Sequence, residues 1–595
     1  MRNGGQLVVE CLEGLGARRA FGVPGESYLA VLDALHGSRI DFVNCRQEGG
    51  AAFAAAAHGK LTGEPGICMV TRGPGATNAS IGVHTAMQDS APMILLVGQI
   101  ATDMREREAF QEVDYRAVFG TMAKWVTEID HVDRIPELLS RAWTVATSGR
   151  PGPVVIALPE DTLSATSAAA PVNGPIAIHP AEPAPAAIEE ARRLLAGAER
   201  PLIVLGGAPW DPAASEALMR FAEGSDVPVI TSFRYQDQVD HGSDVFCGDA
   251  GVGMAGSVRG LLRDADVILA LGTRFGENMT DGYELLSVPD PLQKIVHVHA
   301  GDGEIGKVYR PALGVTASPE RFALALGAPV QGGWADWRRA AREAHLGFID
   351  KAPAQPGPVD MVAVCALLRE RLAGQPLVLT NGAGNFTVWP TRFFRFVPGM
   401  RLLAPQSGAM GYGLPAAIAA KLERPQAPAK ITQLNGSVNI KSEMGVGTTL
   451  EIKVPLTLAI LPTLMVIVGE QTFALPLAGV SEIFHLDLTK TNVVDGQLTI
   501  IVRKKSIPLF YLEHWLIKGA DRGHRKAQGH VVIVQIGTQK VGFVVDSLIG
   551  QEEVVIKPLD ALLQGTPGMA GATITSDGGI ALILDVPNML KHYAG

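Results

Sequence analysis

Glu48 stands at the start of a stretch of small, mostly apolar residues that runs from Gly49 to Ala57. A carboxyl group in such surroundings is suited to sharing a proton, which is the chemistry of general acid and base catalysis. A glutamate at this place also commonly starts or caps a helix, so the residue alone leaves both interpretations open. Its role therefore depends on the elements that position it.

The residues around Glu48 alternate short apolar strands with Ala-rich helical stretches. The pattern predicts strands over 67–71 and 93–97 and a helix over 49–60, with glycine and proline turns between them. This alternation indicates a layered α/β fold with parallel sheets. Two Ala- and Pro-rich linkers divide this part of the chain. The predicted α/β domains cover 1–165, 191–328 and 359–428.

The pattern changes after residue 430. Long helices give way to short β-branched strands with turns at short intervals, for example over 498–503 and 530–536. This part is predicted to be all-β, either a barrel or a sandwich. An α/β domain that gives way to an all-β domain without a linker is unusual, because natural fusions usually join at domain boundaries.

Composition excludes some classes of function. The 595 residues carry a formal net charge of −9 and no basic run, so we expect no nucleic-acid binding. The five cysteines lie far apart without a CxxC pair, which favours buried reduced thiols over disulfide or metal roles. The N-terminus does not have the pattern of a signal peptide, and the most apolar run, 454–468, is broken by two prolines. We expect a cytoplasmic protein without membrane insertion.

Residues 1 to about 428 resemble the thiamine-diphosphate enzymes of the acetolactate synthase type. The resemblance follows the family's order through Phe21–Glu26, Arg46–Ala52, Thr71–Asn78, Ala109–Glu112, Ser148–Pro153, Asn381–Asn385 and Ser407–Gly413. It implies thiamine diphosphate as cofactor, a small 2-oxo acid as substrate, and a homodimer with each cofactor between two subunits. Glu48 matches the family's glutamate at N1′ of the aminopyrimidine ring. That contact favours the imino form, which removes the proton from C2 of the thiazolium.

The resemblance assigns roles to further residues. Around the cofactor it places Pro24, Gly25, Thr71, Gly75, Asn78, Gly382, Gly384, Asn385, Gly408 and Met410. Met410 would force the bent cofactor shape that brings the amino group to C2, and filling the core is the alternative. On the substrate side it places Gln99, Phe110, Gln111 and Lys124. For Phe110 simple packing is the alternative, and for Lys124 a solvated face. Gly206, Gly207 and Arg274 match a site that holds FAD in some members and is lost in others.

The family pattern breaks at the end of the third domain. The family has a Gly-Asp-Gly triplet there and an Asn-Asn pair further on, which together hold the Mg²⁺ that clamps the diphosphate. In this chain Ala429–Gly436 follows instead, and no Asn-Asn pair occurs. The one Gly-Asp-Gly, at 301–303, lies in the sequence context of the central domain and is interpreted as coincidental. We expect no metal site and impaired cofactor binding, because the diphosphate lacks its main counter-charge.

The rest of the chain resembles CheA-type chemotaxis histidine kinases. Residues 431–455 are similar to the end of the ATPase domain, and 461–595 to the CheW-like regulatory domain through segments such as Phe473–Leu477 and Val541–Asp546. This resemblance implies two small SH3-like barrels that bind a CheW-type adaptor and a chemoreceptor. The kinase parts that do chemistry are missing, so we expect no kinase activity.

The glycine-rich segment of the kinase remnant has a simpler interpretation. Its residues Gly445, Gly447, Thr448 and Thr449 belong to a nucleotide-side motif of that family. A glycine turn between two strands explains them as well, and it is the favoured interpretation.

Three interpretations of the joined chain follow. It is an enzyme that decarboxylates or joins 2-oxo acids, or a signalling binding module with an inactive enzyme fragment, or the product of accidental recombination or assembly. The join is predicted between Pro428 and Leu434, inside a domain of each family. We therefore expect no complete catalytic site.

Overall fold

The computed structural model divides the chain into two units, Met1–Leu434 and Asn435–Gly595. The boundary directly follows the segment in which the join is predicted. The structure describes residues 1–593 except 208–209, 351–359, 373–374, 428, 433–436, 444–446, 454–459, 488–489, 495, 504, 518, 521–527, 537–538, 556–567 and 576–578. Within this part of the chain, no helix combines the length and the apolar character that a membrane crossing requires.

The first α/β domain is built on a parallel sheet with strand order β3-β2-β4-β5-β7-β6. Its strands β4, β5 and β7 are buried along their whole length, which explains their continuous apolar sequence. The strands are β1 (Arg2–Asn3), β2 (Arg19–Gly22), β3 (Asp41–Asn44), β4 (Gly66–Val70), β5 (Met93–Gln99), β6 (Trp125–Glu128), β7 (Pro153–Pro159) and β8 (Thr166–Ser167). The helices are α1 (Gly4–Gly14), α2 (Leu29–Leu35), α3 (Glu48–Thr62), α4 (Pro74–Asp89), α5 (Tyr115–Phe119), α6 (Ile135–Thr147) and α7 (Glu160–Ser164).

Small residues bring α3 and α4 into close contact. A Cβ atom at Gly82 of α4 would lie only 2.3 Å from the Cβ of Ala52 on α3, so this approach requires glycine. α3 is buried almost throughout, with Ala51 to Ala57 inaccessible to solvent or nearly so. The Ala-rich sequence after Glu48 is therefore a packing requirement of this helix pair.

The central domain repeats the parallel architecture, with strand order β11-β10-β9-β12-β13-β14. Gly301, Asp302 and Gly303 follow β13 in this sheet, in the central domain where the sequence context puts them. The strands are β9 (Pro201–Leu205), β10 (Val229–Ser232), β11 (Phe246–Ala250), β12 (Val267–Leu271), β13 (Lys294–His299) and β14 (Leu313–Thr316). The helices are α8 (Pro185–Ala196), α9 (Pro212–Ser225), α10 (Gly256–Asp264), α11 (Pro319–Ala325) and α12 (Ala335–Asp350).

The third α/β domain is small. In its described part, a parallel sheet has the order β16-β15-β17, and β17 pairs with β15 from Ala429 to Thr432. The α/β sheet thus extends past Pro428 to Thr432. The elements are α13 (Met361–Arg371), β15 (Val378–Asn381), α14 (Val388–Phe393), β16 (Arg401–Leu403), α15 (Gly413–Glu423) and β17 (Ala429–Thr432).

The second unit is built almost wholly from strands. A hairpin of β18 and β19 precedes two mixed, mostly antiparallel sheets with orders β28-β20-β21-β30-β29 and β22-β26-β27-β25-β24-β23. Phe473 and Phe543, one from each sheet, lie in one apolar core. The predicted change from α/β to all-β is therefore confirmed.

The elements of the second unit are short. The strands are β18 (Ser437–Glu443), β19 (Gly447–Lys453), β20 (Ile460–Val468), β21 (Gln471–Pro476), β22 (Val480–His485), β23 (Thr491–Val494), β24 (Gln497–Val502), β25 (Lys505–Tyr511), β26 (His530–Ile536), β27 (Gln539–Val545), β28 (Ser547–Val555), β29 (Met569–Ile574) and β30 (Ile580–Leu584). The helices are α16 (Leu512–Leu516) and α17 (Val586–Tyr593).

A buried ion pair joins the three α/β domains. Lys60 Nζ lies 3.1 Å from Asp89 Oδ2 and donates to the carbonyl oxygen of Ala404 at 2.7 Å. Asp89 also accepts from the backbone N–H of Gln406 at 2.7 Å, and its own carbonyl accepts from the Tyr235 hydroxyl at 3.3 Å. Lys60 and Asp89 are 3% and 2% exposed, so each charge depends on the other.

Replacing Lys60 by methionine is expected to lower the free energy of unfolding of the first unit by about 3–5 kcal/mol, because Asp89 becomes a buried charge without its partner. Urea unfolding followed by tryptophan fluorescence measures this change. The matched control is Arg134→Met, which breaks the exposed pair with Glu137 and should cost less than about 1 kcal/mol. Equal losses of unfolding free energy in the two variants would contradict the role of Lys60 as the buried partner of Asp89.

Candidate functional site

The predicted cofactor residues of the first domain lie at one edge of its sheet. Pro24 and Gly25 follow β2, Glu48 follows β3, and Thr71 follows β4. These meet because the carboxyl ends of parallel strands share one edge. The contact between Gly25 and Thr71 is close, since a Cβ at Gly25 would lie 2.5 Å from the Thr71 Cβ.

Glu48 is held by helix α4. Asn78 donates from Nδ2 to Glu48 Oε2 at 3.0 Å. Gly75, one turn earlier on α4, lies beside both Glu48 and Thr71. Glu48 is half-buried at the first turn of α3, where the helix dipole favours a carboxylate. The structure therefore brings Gly25, Glu48, Thr71, Gly75 and Asn78 together.

Three of the predicted substrate-side residues adjoin this cluster through the loop after β4. Arg72 Nε donates to the carbonyl of Phe110 at 3.2 Å, and the backbone of Gln111 lies against Gly73. The Phe110 side chain is 75% exposed, which is contrary to simple core packing. Gln99 is buried and donates from Nε2 to the carbonyl of Val113 at 3.0 Å, so it supports the loop that carries Phe110 and Gln111.

Lys124 belongs to a different environment. Its ammonium donates to the carbonyl oxygens of Val145 and Ser148 at the end of α6. Burial, with a smaller contribution from Arg150, lowers its pKa to about 8. Among the described residues, no hydrogen bond links Lys124 to Phe110 or Gln111, and its contacts are those of a helix C-terminal cation.

The residues predicted for FAD follow the neighbouring strands β9 and β12, and a Cβ at Gly206 would lie 3.1 Å from the Cα of Thr273, the residue before Arg274. Gly206 and Gly207 follow β9, and Gly206 lines a cavity of about 520 Å³ together with Trp210 and Glu320. Burial raises the pKa of Glu320. Arg274 does not line this cavity, because its guanidinium donates to the carbonyl of Gln88 at 2.9 Å and lies 3.2 Å from Gln406 Oε1.

The third domain places its predicted residues in two loops. Gly382, Gly384 and Asn385 follow β15, and Gly408 and Met410 lie in the loop after β16. The hydroxyl oxygen of Ser407 in the second loop lies 2.9 Å from the hydroxyl oxygen of Thr85 on α4. Met410 is 66% exposed, so it does not fill the core of this chain.

Two residues near the site were not predicted from the sequence. The Ser27 hydroxyl lies 2.8 Å from the Thr71 hydroxyl and accepts from the Arg72 N–H at 3.2 Å. The Tyr115 hydroxyl accepts from the Gly73 N–H at 2.9 Å, and burial raises the pKa of Tyr115 to about 12. Ser27 directly follows the Phe21–Glu26 motif and could have been found there, whereas Tyr115 carries no local signal.

The segment predicted to be a kinase remnant contains a strand pair. β18 and β19 are antiparallel, with Glu443 opposite Gly447. Gly445 lies outside the described residues, while Thr448 and Thr449 lie within β19. In the described part of the chain, no group of three His, Cys, Asp or Glu residues is arranged to hold a metal ion.

Comparison with known families agrees with this layout. Residues 2–118, 188–326 and 382–437 match the N-terminal TPP binding domain, the central domain and the C-terminal TPP binding domain of thiamine pyrophosphate enzymes. The chain is 30% identical over 442 residues to a probable acetolactate synthase large subunit of Methanocaldococcus jannaschii, which covers 71% of this chain and 74% of the relative. The chain belongs to the acetolactate synthase family of thiamine pyrophosphate enzymes. Residues 462–594 match the CheW-like domain.

Two further relatives match the chain over a similar length. The acetolactate synthase isozyme 2 large subunit of Escherichia coli is 28% identical over 467 residues, covering 77% of this chain and 82% of the relative. The acetolactate synthase large subunit of Corynebacterium glutamicum is 29% identical over 446 residues, with 71% and 69% covered. The resemblance to thiamine-diphosphate enzymes and the CheW-like domain are thereby confirmed, and their order fits a chimera, while the kinase origin of residues 431–455 stays a prediction.

The lowered pKa of Lys124 predicts a pH-dependent stability. The unfolded chain keeps this proton up to about pH 10.4, whereas the folded chain releases it near pH 8, so stability rises with pH between these values. The free energy of unfolding of the unsubstituted protein, relative to that of Lys124→Met, should rise by roughly 1–2 kcal/mol between pH 8 and pH 10. Urea unfolding at both pH values tests this, with Lys294→Met at an exposed position as control. A difference in unfolding free energy between the two proteins that stays constant with pH would contradict the lowered pKa of Lys124.

Proposed function

We propose that the chain keeps the cofactor-activating half of an acetolactate-synthase-like site but does not turn over 2-oxo acids, and that its CheW-like domain binds a CheW-type adaptor and a chemoreceptor. The observation that carries the expected lack of turnover is that, within the described residues, β17 is the last strand of the third sheet. The alternative is a chemotaxis binding module that merely carries the enzyme fragment.

The cluster around Glu48 supports the cofactor-activating role. The residues fit an aminopyrimidine ring, since one carboxylate oxygen of Glu48 is fixed by Asn78 and glycine backbone lies beside the other. Thiamine diphosphate, when bound, supplies the carbanion that attacks a 2-oxo acid. Glu48 would hold the proton at the ring nitrogen, and Asn78 would orient the carboxylate. Gln99, Phe110 and Gln111 remain the proposed substrate-side residues.

Two contacts support the proposed homodimer. Ser407 is anchored to Thr85, which lies about 10 Å along α4 from Asn78, the residue that holds Glu48. The loop with Gly408 and Met410 thus packs at the other end of α4 from the Glu48 cluster of its own chain. The exposed Met410 side chain is available to a second subunit, as expected for a cofactor held between two subunits.

The missing half of the site is the one that would hold the diphosphate. β17 ends at Thr432 at the carboxyl edge of the third sheet, where a metal ligand is expected. The sequence has no aspartate between Asp360 and Asp487, and no Asn-Asn pair at all. A carboxylate of this kind is what Mg²⁺ needs to clamp a diphosphate. The residues present therefore do not fit the Mg²⁺–diphosphate group, and we propose impaired binding of thiamine diphosphate.

FAD remains a prediction without a role in this proposal. The cavity beside Gly206 has the size of a ligand site, but its lining includes the carboxylate of Glu320 and lacks Arg274. No chemical step is assigned to FAD here.

Purified full-length protein is expected to show no turnover of pyruvate at saturating thiamine diphosphate and Mg²⁺, because the diphosphate half of the site is incomplete. A colorimetric assay for acetoin after acid decarboxylation of acetolactate measures the product. Glu48→Gln is the matched control and should give the same background. Cofactor-dependent product that disappears in Glu48→Gln would show a working site and contradict the proposal.

The full chain is expected to retain a CheW-type adaptor and a chemoreceptor tip in a pull-down, since residues 462–594 match the CheW-like domain. The control is a chain ending at Leu434, the last residue of the first unit, which should retain neither. Equal retention by both chains, or none by the full chain, would reject the binding role.

A further inference from the structure

The two halves of the proposed cofactor site differ in charge. The half in the first domain carries the carboxylate of Glu48, whereas the half in the third domain is formed by the segments that follow its strands. Residues 382–391, 404–420 and 433–440 follow β15, β16 and β17, and the sequence has no Asp, Glu, Lys, Arg or His in any of the three. The segments that follow this sheet therefore bring neither a carboxylate for a metal ion nor a cation for a phosphate.

Cations from other elements contact the beginnings of these segments and are engaged there. Arg234 donates to the side chain at the end of β15 at 2.7 Å, and Lys60 donates to the carbonyl of the first residue after β16. These two side chains are 5% and 3% exposed, so they support the loops from inside the protein. Arg274 donates to the carbonyl of Gln88 and lies 3.2 Å from Gln406 Oε1. All three hold one domain against another.

An uncharged edge affects a diphosphate in a specific way. A diphosphate carries several negative charges, and removing a charge from water is costly unless the charge is paired. Backbone N–H groups of glycine-rich loops can donate to phosphate oxygens, but they carry no net charge to balance it. The formal net charge of the chain, −9, adds a general repulsion of anions. The phosphates of a ligand are therefore expected to weaken its binding to this chain.

The half in the first domain has the opposite preference. One carboxylate oxygen of Glu48 accepts from Asn78 at 3.0 Å, and Glu48 is half-buried. The cation on the adjoining loop is already engaged, because Arg72 Nη1 lies 3.1 Å from Glu160 Oε2 and its Nε donates to the carbonyl of Phe110. A carboxylate in this position favours a ligand that brings an N–H donor or a positive charge.

We propose, on the basis of the proposed role of the Glu48 cluster, that the site prefers an unphosphorylated aminopyrimidine with a cationic second ring, such as thiamine, over thiamine diphosphate, and that it binds this ligand without Mg²⁺. Glu48 would accept from the aminopyrimidine, and the positive ring would meet an acidic surface. The third domain would cover the ligand with uncharged loops.

The test is calorimetric titration of the full-length protein with thiamine, thiamine monophosphate and thiamine diphosphate, each with Mg²⁺ and with EDTA. The three compounds have the same rings and differ in the number of phosphates. Affinity should fall along the series, and thiamine should bind roughly tenfold or more tightly than the diphosphate, because the phosphate charges stay unpaired. The affinity for thiamine should be the same with Mg²⁺ as with EDTA. Inorganic diphosphate should not compete with thiamine.

A matched pair of variants locates the binding site. Glu48→Gln should weaken thiamine binding roughly tenfold or more, because a charged hydrogen bond becomes a neutral one. Glu64→Gln, at an exposed position after α3, should leave the affinity unchanged. Urea unfolding of both variants shows whether each is folded. Equal affinities for thiamine in the two folded variants would overturn the proposal.

The remaining outcomes separate this proposal from the proposed lack of turnover. Tighter binding of thiamine diphosphate than of thiamine with Mg²⁺ present would overturn the preference, even if pyruvate is not turned over. Absence of thiamine binding would also overturn it, and the proposed lack of turnover would stand. Cofactor-dependent product from pyruvate would instead reject the proposed function, whichever compound binds more tightly.

Discussion

The buried ion pair of Lys60 and Asp89 is the contact on which the first unit depends. Lys60 stands near the end of α3 and Asp89 at the end of α4, so the pair fixes the two helices that carry Glu48 and Asn78 at their other ends. The same two side chains bind the backbone of the third domain at Ala404 and Gln406. A buried charge pair is stabilising only when both partners are present and further hydrogen bonds satisfy them. This geometry therefore sets the position of one domain against the next.

The third domain relies on the first for its core. Its described sheet is small, and a sheet of this size cannot bury enough apolar surface alone. It is completed by packing of α15 on α3, where the fully buried Tyr412 meets Phe53 edge-on with ring centroids 5.5 Å apart. Glu423 at the end of α15 pairs with Arg19 and lies 3.2 Å from His58. These contacts explain how the small third domain, whose last described strand is β17, is held on the first domain.

The join has unequal consequences for the two families. On the enzyme side, it leaves the carboxylate cluster of the first domain intact and interrupts the sheet that would hold a diphosphate. On the signalling side, the β18–β19 hairpin precedes a CheW-like domain with a core of its own. A binding surface needs only its own folded domain, whereas a catalytic site assembled from two domains fails when either is incomplete. If the proposed function holds, the two parts of the chain retain function to different degrees.

The sequence by itself determined the two families, the α/β and all-β classes and the cluster around Glu48. These follow from local patterns, because motif glycines and strand periodicity act over short distances and parallel strands bring their carboxyl ends to one edge. Only the tertiary structure decided the partner of each polar side chain. Lys124 lies at the end of α6, Arg274 turns to Gln88 and Gln406, and Tyr115 supports Gly73. Such pairings join residues far apart in sequence, and they are set by burial and hydrogen-bond satisfaction, which no local pattern records.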